Sequence, residues 1–178
     1  MDENKSIKTN VSFESAGLKL AGHLYTPDPD TSPSLPAIVV GPPGSSVKEQ
    51  AAGMYARRLR IRRAQAASMF SRVGSITCTA RAQHPRSAKF FTWNSVDRIA
   101  SFDAFRFIAM IAPRPLFMIV GTDAVTARMT TDAFANAQEP KELCWIKGAT
   151  HVALYDRDEY VTPAASKLVE FFRNWLTA

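Results

Sequence analysis

The chain has 178 residues, of which 46% are hydrophobic, so it can bury one sizeable core and a single domain is expected. Its net charge of +6 raises the question of nucleic-acid binding. Its two cysteines are too few for a disulfide framework. No apolar run approaches the ~18 residues of a membrane-spanning helix. The first residues do not resemble a signal peptide and the last three are not a peroxisomal tripeptide. A soluble, cytoplasmic protein is therefore expected.

The first predicted element is an antiparallel hairpin. Residues 6–13 and 18–25 alternate between apolar and polar side chains, and residues 15–17 have the composition of a turn. The second strand contains His23, which we expect to face the solvent or the sheet rather than to act in catalysis.

A short strand and a glycine-rich turn follow the hairpin. Residues 37–40 are all apolar, which is typical of a strand buried on both faces, and a helix is predicted over residues 47–59. The connecting residues 41–46 read GPPGSS, and backbone N–H groups at such a helix start can bind an anion. Pro42 has no N–H group to donate. The turn is therefore either an anion-binding loop or an ordinary connection.

Residues 60–89, the basic segment, differ from the rest of the chain. No acidic residue occurs between Glu49 and Asp97, and positive charges are concentrated there. The pattern has a helical stretch before Phe70 and a possible short strand over residues 73–79. We interpret the segment as an atypical junction, either a product of a shifted frame or mis-splicing, which we favour, or a genuine basic loop. Since Phe70 is its one aromatic residue, base stacking is poorly supported and nucleic-acid binding is disfavoured.

Helices and strands alternate from residue 96 onward. Residues 96–111 show a helical apolar face, and the aromatic stripe Phe102, Phe105 and Phe107 is expected in the core. Further predictions are a strand buried on both faces over 116–120, a short helix from 130 to about 140, a strand over 142–146 and an amphipathic helix over 160–176. The side chains expected to face the sheet from the last helix are Val161, Leu168, Phe171, Phe172 and Trp175.

Each of these two strands ends in a turn that carries a candidate catalytic residue. Asp123 follows the first strand, and His151 follows the second, 28 residues later. Because the chemistry of open parallel sheets gathers at the carboxyl ends of the strands, the two side chains can meet as a base and the acid that orients it. The alternative interpretations are a strand-end cap for Asp123 and a structural turn residue for His151. Asp156 and Asp158 are alternative acids.

Three segments of this region resemble a known family. Residues 114–123 read RPLFMIVGTD, residues 139–143 read EPKEL and residues 148–156 read GATHVALYD. Together they resemble the carboxy-terminal third of α/β-hydrolases. The closest subgroup is the dienelactone-hydrolase-like enzymes, including the polyketide-transferase-like hydrolases of fungal secondary-metabolite clusters. The resemblance is strong over residues 90–176, moderate over 6–59 and absent between them.

The resemblance implies an α/β fold with a mainly parallel sheet and an N-terminal antiparallel hairpin. It also implies that Asp123 is the acid and His151 the base of a catalytic triad. The expected activity is hydrolysis of a small-molecule acyl ester or thioester, or acyl (polyketide) transfer, in the biosynthesis of a secondary metabolite such as a toxin. No cofactor is expected. The three histidines are scattered without metal-ligand spacing, and there is no phosphate-binding glycine fingerprint.

The nucleophile of such a triad is not recognisable. The elbow pattern Gly-x-Ser-x-Gly occurs nowhere in the sequence, and the basic segment stands where the family has a strand, an acidic turn and the elbow. We therefore expect a single, incomplete domain that is truncated in the middle. Ser46, Ser75 and Cys78 are the candidate nucleophiles. The alternative function is a catalytically inactive remnant that acts as a scaffold or interaction protein, and the oligomeric state is left open.

Overall fold

The computed structural model describes residues 7–26, 36–41, 47–59, 65–68, 84–85 and 94–176. The chain divides into two compact units, residues 1–89 and 90–178, and the boundary follows the last residue of the basic segment. A single, incomplete domain truncated in the middle remains a prediction.

The first unit contains a four-stranded mixed sheet. Its strands are β1 (Ile7–Ser15), β2 (Leu18–Thr26), β3 (Ala37–Val40) and β4 (Gln65–Ser68), in the spatial order β1-β2-β4-β3. Strand β2 is antiparallel to both neighbours, and β3 is parallel to β4. The predicted hairpin is confirmed, because Ala16 and Gly17 form a two-residue turn with φ of 49° and 74°, a geometry that matches the twist of the flanking strands.

Helix α1 (Ala51–Arg58) buries a face of small residues, and Ala56 packs against Tyr25 of β2. It begins four residues later than predicted. The reason is that the Gln50 side chain accepts a hydrogen bond from the Val47 N–H at 2.8 Å, which closes a turn before the helix.

Two further predictions for the first unit need correction, and one of the two orientations expected for His23 is excluded. Strand β3 is buried on one face only, since Ile38 is buried and Val39 is 62% exposed. His23 is 4% exposed and lies edge-on to Tyr25, so it does not face the solvent. The helical stretch expected before Phe70 is wrong over Gln65–Ser68, where pairing with two neighbouring strands overrides local preference. Residues 42–46 and the possible strand at 73–79 lie outside the described residues.

The second unit alternates helices with two parallel strands. Its elements are α2 (Asn94–Ala100), a short 3-10 helix (Ile108–Ile111), β5 (Leu116–Gly121), α3 (Ala127–Asn136), β6 (Lys141–Ile146), a second 3-10 helix (Ala153–Tyr155) and α4 (Asp158–Leu176). The register of β5 and β6 runs from Leu116 opposite Lys141 to Gly121 opposite Ile146. The predicted α-β-α-β-α order is confirmed, and so is the parallel strand pair.

Packing in this unit places helices α3 and α4 against the strands. Ile108, one alanine of α3 and the alanine directly after that helix form a buried cluster against Leu116 and Met118. Helix α4 contacts β5 through Phe117 and Phe171, whose rings stack with centroids 5.0 Å apart. Strand β5 was expected to be buried on both faces. In the structure it is half-buried over most of its length, and only its last two residues are buried.

The continuous helix predicted over residues 96–111 is wrong. The chain leaves the helix after Ala100, because the Asp103 carboxylate accepts a hydrogen bond from the Phe105 N–H at 2.9 Å and closes a local turn. The aromatic stripe is consequently not in the core, as Phe102 is 74% exposed and Phe107 is 66% exposed. Trp175, expected to face the sheet, is also exposed.

No helix in the described part of the chain is both long enough and apolar enough to cross a membrane.

Candidate active site

The turns that follow β5 and β6 lie side by side because the two strands are parallel and end in register. Three hydrogen bonds join them. The Thr122 N–H donates to the Ile146 carbonyl at 3.0 Å, the Asp123 N–H donates to the Ala149 carbonyl at 3.1 Å, and the Gly148 N–H donates to Thr122 Oγ1 at 2.8 Å. The turn with the candidate acid is thus attached directly to the turn with the candidate base.

The close approach of these turns requires glycine at position 121. A Cβ atom built there would lie 1.9 Å from the Ala149 carbonyl oxygen, far inside any contact that real Cβ atoms make. Gly121 and Ala149 are both buried. The glycine at the end of β5 therefore sets the spacing of the two turns.

His151 is half-buried, and a hydroxyl group lies at each of its ring nitrogens. Thr126 Oγ1 is 2.9 Å from Nδ1, and the Tyr155 hydroxyl is 2.6 Å from Nε2. The Tyr155 ring stands edge-on to the imidazole with a centroid separation of 5.2 Å. Burial raises the pKa of the Tyr155 phenol, so its neutral, proton-bearing form is favoured beside the imidazole.

Both hydroxyl groups are carried by well-defined local structure. Thr126 is the residue immediately before α3, and its carbonyl accepts the first helical hydrogen bond, from the Thr130 N–H at 3.2 Å. Tyr155 ends a 3-10 turn in which Thr150 Oγ1 accepts a hydrogen bond from the Ala153 N–H at 3.2 Å. The i, i+4 spacing along this turn brings the Tyr155 side chain back over His151.

The Asp123 side chain is exposed and accepts a hydrogen bond from the Thr122 hydroxyl at 2.9 Å. The structure thus brings the backbones of the two predicted triad residues together, while the atoms on the imidazole ring belong to Thr126 and Tyr155. The triad roles of Asp123 and His151 stay predictions. The alternative acids lie beyond His151: Asp156 directly follows the second 3-10 helix, and Asp158 is the first residue of α4.

Sequence reasoning did not identify Thr126 and Tyr155. Tyr155 follows His151 by four residues in a segment of short turns, and Thr126 follows Asp123 by three residues. These spacings alone are a weak signal that the two hydroxyls contact His151. They indicate such a contact only when the direction of the imidazole ring is known.

The candidate nucleophiles Ser46, Ser75 and Cys78 lie outside the described residues. Within the described ranges, no group of three His, Cys, Asp or Glu side chains is placed to hold a metal ion.

Comparison with known proteins gives two curated relatives. The uncharacterized protein YcjY of Escherichia coli is 31% identical over 99 residues, which is 55% of this chain and 32% of the relative. The uncharacterized protein PA2218 of Pseudomonas aeruginosa is 38% identical over 82 residues, which is 44% of this chain and 22% of the relative. The matches thus span about a third or less of these relatives' length. No protein-family model matches the chain.

Similar solved structures cover nearly the whole chain. The crystal structure of PA2218 has a TM-score of 0.81 at 19% identity, covering 96% of this chain and 94% of that chain. Est1E from Butyrivibrio proteoclasticus has a TM-score of 0.68 at 12% identity, covering 95% and 99%. Dienelactone hydrolase from Anabaena variabilis has a TM-score of 0.60 at 16% identity, covering 96% and 99%. The predicted fold class is therefore confirmed: this chain has an α/β-hydrolase-like fold, similar to dienelactone hydrolase and to serine hydrolases and esterases.

Proposed function

We propose that this protein hydrolyses small-molecule acyl esters or thioesters, with His151 as the general base. The observation that carries the proposal is the position of His151, which follows a parallel strand at the sheet edge where chemistry gathers in such folds. Its ring is fixed by two hydrogen bonds, and its Nε2 already lies at hydrogen-bonding distance from a hydroxyl group. The esterase-like folds of similar structures support the same substrate class.

In the proposed reaction, His151 Nε2 takes the proton of a hydroxyl, thiol or water that attacks the acyl carbon. The new bond forms at that carbon, and collapse of the tetrahedral intermediate breaks the bond to the alkoxide or thiolate. The imidazolium then returns its proton to the leaving group. Where the attacking group is a side chain, the same base next activates a water that cleaves the acyl-enzyme and releases the acid. For the first of these steps the attacking group replaces the Tyr155 hydroxyl at Nε2. Ser46, Ser75 and Cys78 remain the candidate side-chain nucleophiles, and Asp123 remains the acid that the resemblance predicts, although its carboxylate contacts Thr122 rather than the imidazole ring.

The finer proposal concerns the acceptor and the pathway. The family that the chain resembles includes polyketide-transferase-like hydrolases, so we propose acyl transfer in secondary metabolism, such as the biosynthesis of a toxin, as the more specific form of the same chemistry. Product analysis in the presence of an added alcohol separates the two reactions. Transfer gives a new ester, whereas hydrolysis gives the free acid.

A second candidate function is a scaffold or interaction protein without catalysis. The observation that favours it is the absence of Gly-x-Ser-x-Gly from the 178-residue sequence. Losing the nucleophile of a triad costs on the order of 10⁶ in turnover. A chain that retains only the base would therefore bind acyl compounds without turning them over.

The test is turnover of p-nitrophenyl acetate and of an acetyl thioester by the wild type and by His151→Gln. Because a general base contributes about 10²–10⁴-fold, the variant is expected to lose at least about a hundredfold in kcat. Asp132→Asn is the control, since this carboxylate lies on the exposed side of α3 beside Arg128. Equal turnover in His151→Gln and the wild type would refute the proposal, and no turnover of either substrate by folded wild type would favour the scaffold.

A further inference from the structure

The orientation of a catalytic histidine depends on what its Nδ1 contacts, and here that atom faces a threonine. We propose that Thr126 is the positioning residue of His151. In this arrangement the threonine hydroxyl accepts a hydrogen bond from Nδ1–H and leaves Nε2 as the proton-accepting atom. The inference rests on the proposed function of His151 as a base, and it gives Thr126 the orienting role that the sequence assigns to Asp123.

The direction of the two hydrogen bonds follows from the chemistry of the two hydroxyl groups. A neutral imidazole has one donor and one acceptor nitrogen, so only one of the two hydroxyls can donate to it. The Tyr155 phenol, a group with an ordinary pKa of about 10, is a stronger acid than the aliphatic hydroxyl of Thr126. Its contact with Nε2 is also the shorter one, 2.6 Å against 2.9 Å. Tyr155 therefore donates to Nε2, and Nδ1–H donates to Thr126 Oγ1.

The position of Thr126 in the fold suits this role. A threonine just before a helix ordinarily uses its hydroxyl to accept a hydrogen bond from an N–H of the first turn. Thr126 makes no such bond. Its hydroxyl instead reaches a residue 25 positions later in the chain. The backbone of Thr126 is still anchored by the start of α3, so the acceptor at Nδ1 has a fixed place.

The Asp123 carboxylate is engaged elsewhere in the same pair of turns. It accepts a hydrogen bond from the Thr122 hydroxyl, whose oxygen in turn accepts a hydrogen bond from the Gly148 N–H. These bonds connect the turn of the acid to the turn of His151. Asp123 therefore stabilises the spacing of the turns, while Thr126 contacts the ring itself.

The tautomer of His151 can be measured directly, without turnover. Long-range proton–nitrogen correlation NMR of ¹⁵N-labelled protein shows which ring nitrogen carries the proton, and a pH series resolves the neutral form. The three histidines are distinguished by the signals missing from His151→Gln. The variants to compare are Thr126→Val, which keeps the shape without the hydroxyl, Thr126→Ser, which keeps the hydroxyl, and Asp123→Asn.

The wild type is expected to carry the proton on Nδ1. Loss of one neutral hydrogen bond corresponds to roughly a fivefold change in an equilibrium, so Thr126→Val is expected to shift the tautomer ratio about fivefold toward Nε2–H. Thr126→Ser is expected to restore the wild-type ratio, which a general disturbance of α3 would not allow, and Asp123→Asn to leave it unchanged. In a turnover assay, Thr126→Val is expected to lower kcat with KM unchanged.

Two results would overturn the assignment. One is an unchanged tautomer ratio in Thr126→Val, and the other is a ratio that shifts in Asp123→Asn but not in Thr126→Val. Failure of the proposed function looks different, because turnover is then absent while the tautomer still depends on Thr126.

Discussion

Replacing Gly121 with alanine places a methyl group where the turns after β5 and β6 nearly touch. The added Cβ would lie 1.9 Å from the Ala149 carbonyl oxygen, whereas carbon–oxygen contacts are normally no shorter than roughly 3.3 Å. The turns must therefore separate by more than an ångström. That movement breaks the hydrogen bonds from Asp123 N–H to Ala149 and from Gly148 N–H to Thr122, now 3.1 and 2.8 Å long.

The expected destabilisation can be estimated from these losses. Each of the two lost hydrogen bonds costs about 1 kcal/mol net, and overpacking costs about 1–3 kcal/mol more. Alanine offsets roughly 0.5 kcal/mol of this loss, because it restricts the unfolded chain more than glycine does. Gly121→Ala should thus lower the free energy of unfolding by about 2.5–4.5 kcal/mol. The assay is urea unfolding followed by tryptophan fluorescence, since Trp145 lies on β6 beside these turns.

Gly148→Ala is the matched control. Gly148 has a φ of 73°, but a Cβ there would meet nothing closer than the Tyr160 hydroxyl at 3.7 Å. Its cost comes only from the left-handed backbone, about 1–2 kcal/mol for a residue with a Cβ. If Gly121→Ala proves no more destabilising than Gly148→Ala, the close approach of the turns is not a steric constraint and the reasoning is refuted.

Three further predictions concern stability. Lys141 Nζ caps the end of α3 by donating hydrogen bonds to two carbonyls there, at 2.8 and 2.7 Å. Lys141→Met should therefore lower the free energy of unfolding in urea by about 2 kcal/mol. A change below about 0.5 kcal/mol would contradict this capping role. Val161 is fully buried, so Val161→Ala should lower the free energy of unfolding by about 2–3 kcal/mol. Val125→Ala is the control, because the Val125 side chain is 92% exposed. It should change the free energy of unfolding by less than about 0.5 kcal/mol. Burial raises the pKa of Tyr55 from 10.0 to about 12, partly offset by Arg58, so the unfolded state loses this proton first and stability should fall as the pH rises from 10 to 12. Tyr55→Phe should flatten that part of the pH profile, and an identical profile in the variant would show that another group is responsible.

The parts of the fold that could be predicted from the sequence depend on local chemistry. The hairpin was predictable because strand alternation is interrupted by a turn in which Gly17 allows a positive φ. Strands β5 and β6 were predictable because short apolar runs end at a glycine or a glycine-containing turn. The positions of the two strands in the second unit follow from these signals.

The parts that were not predicted depend on contacts that a periodic pattern does not contain. The helix expected over residues 96–111 fails because the Asp103 side chain competes for a backbone N–H group. Gln65–Ser68 becomes a strand because β2 and β3 both pair with it. At the site, the sequence locates His151, but the hydroxyls of Thr126 and Tyr155 reach its ring only once both turns are in place.

The central claim is that His151 acts as a base for acyl chemistry. The most direct measurement is intact mass after incubation with a serine-directed fluorophosphonate, on the wild type and on His151→Ala, with peptide mapping of any adduct. A single adduct on the wild type that is lost in His151→Ala is the predicted result, and the mapped residue is then the nucleophile. An adduct that forms equally in both proteins would contradict the claim, and no adduct on folded wild type would exclude Ser46 and Ser75 as the nucleophile.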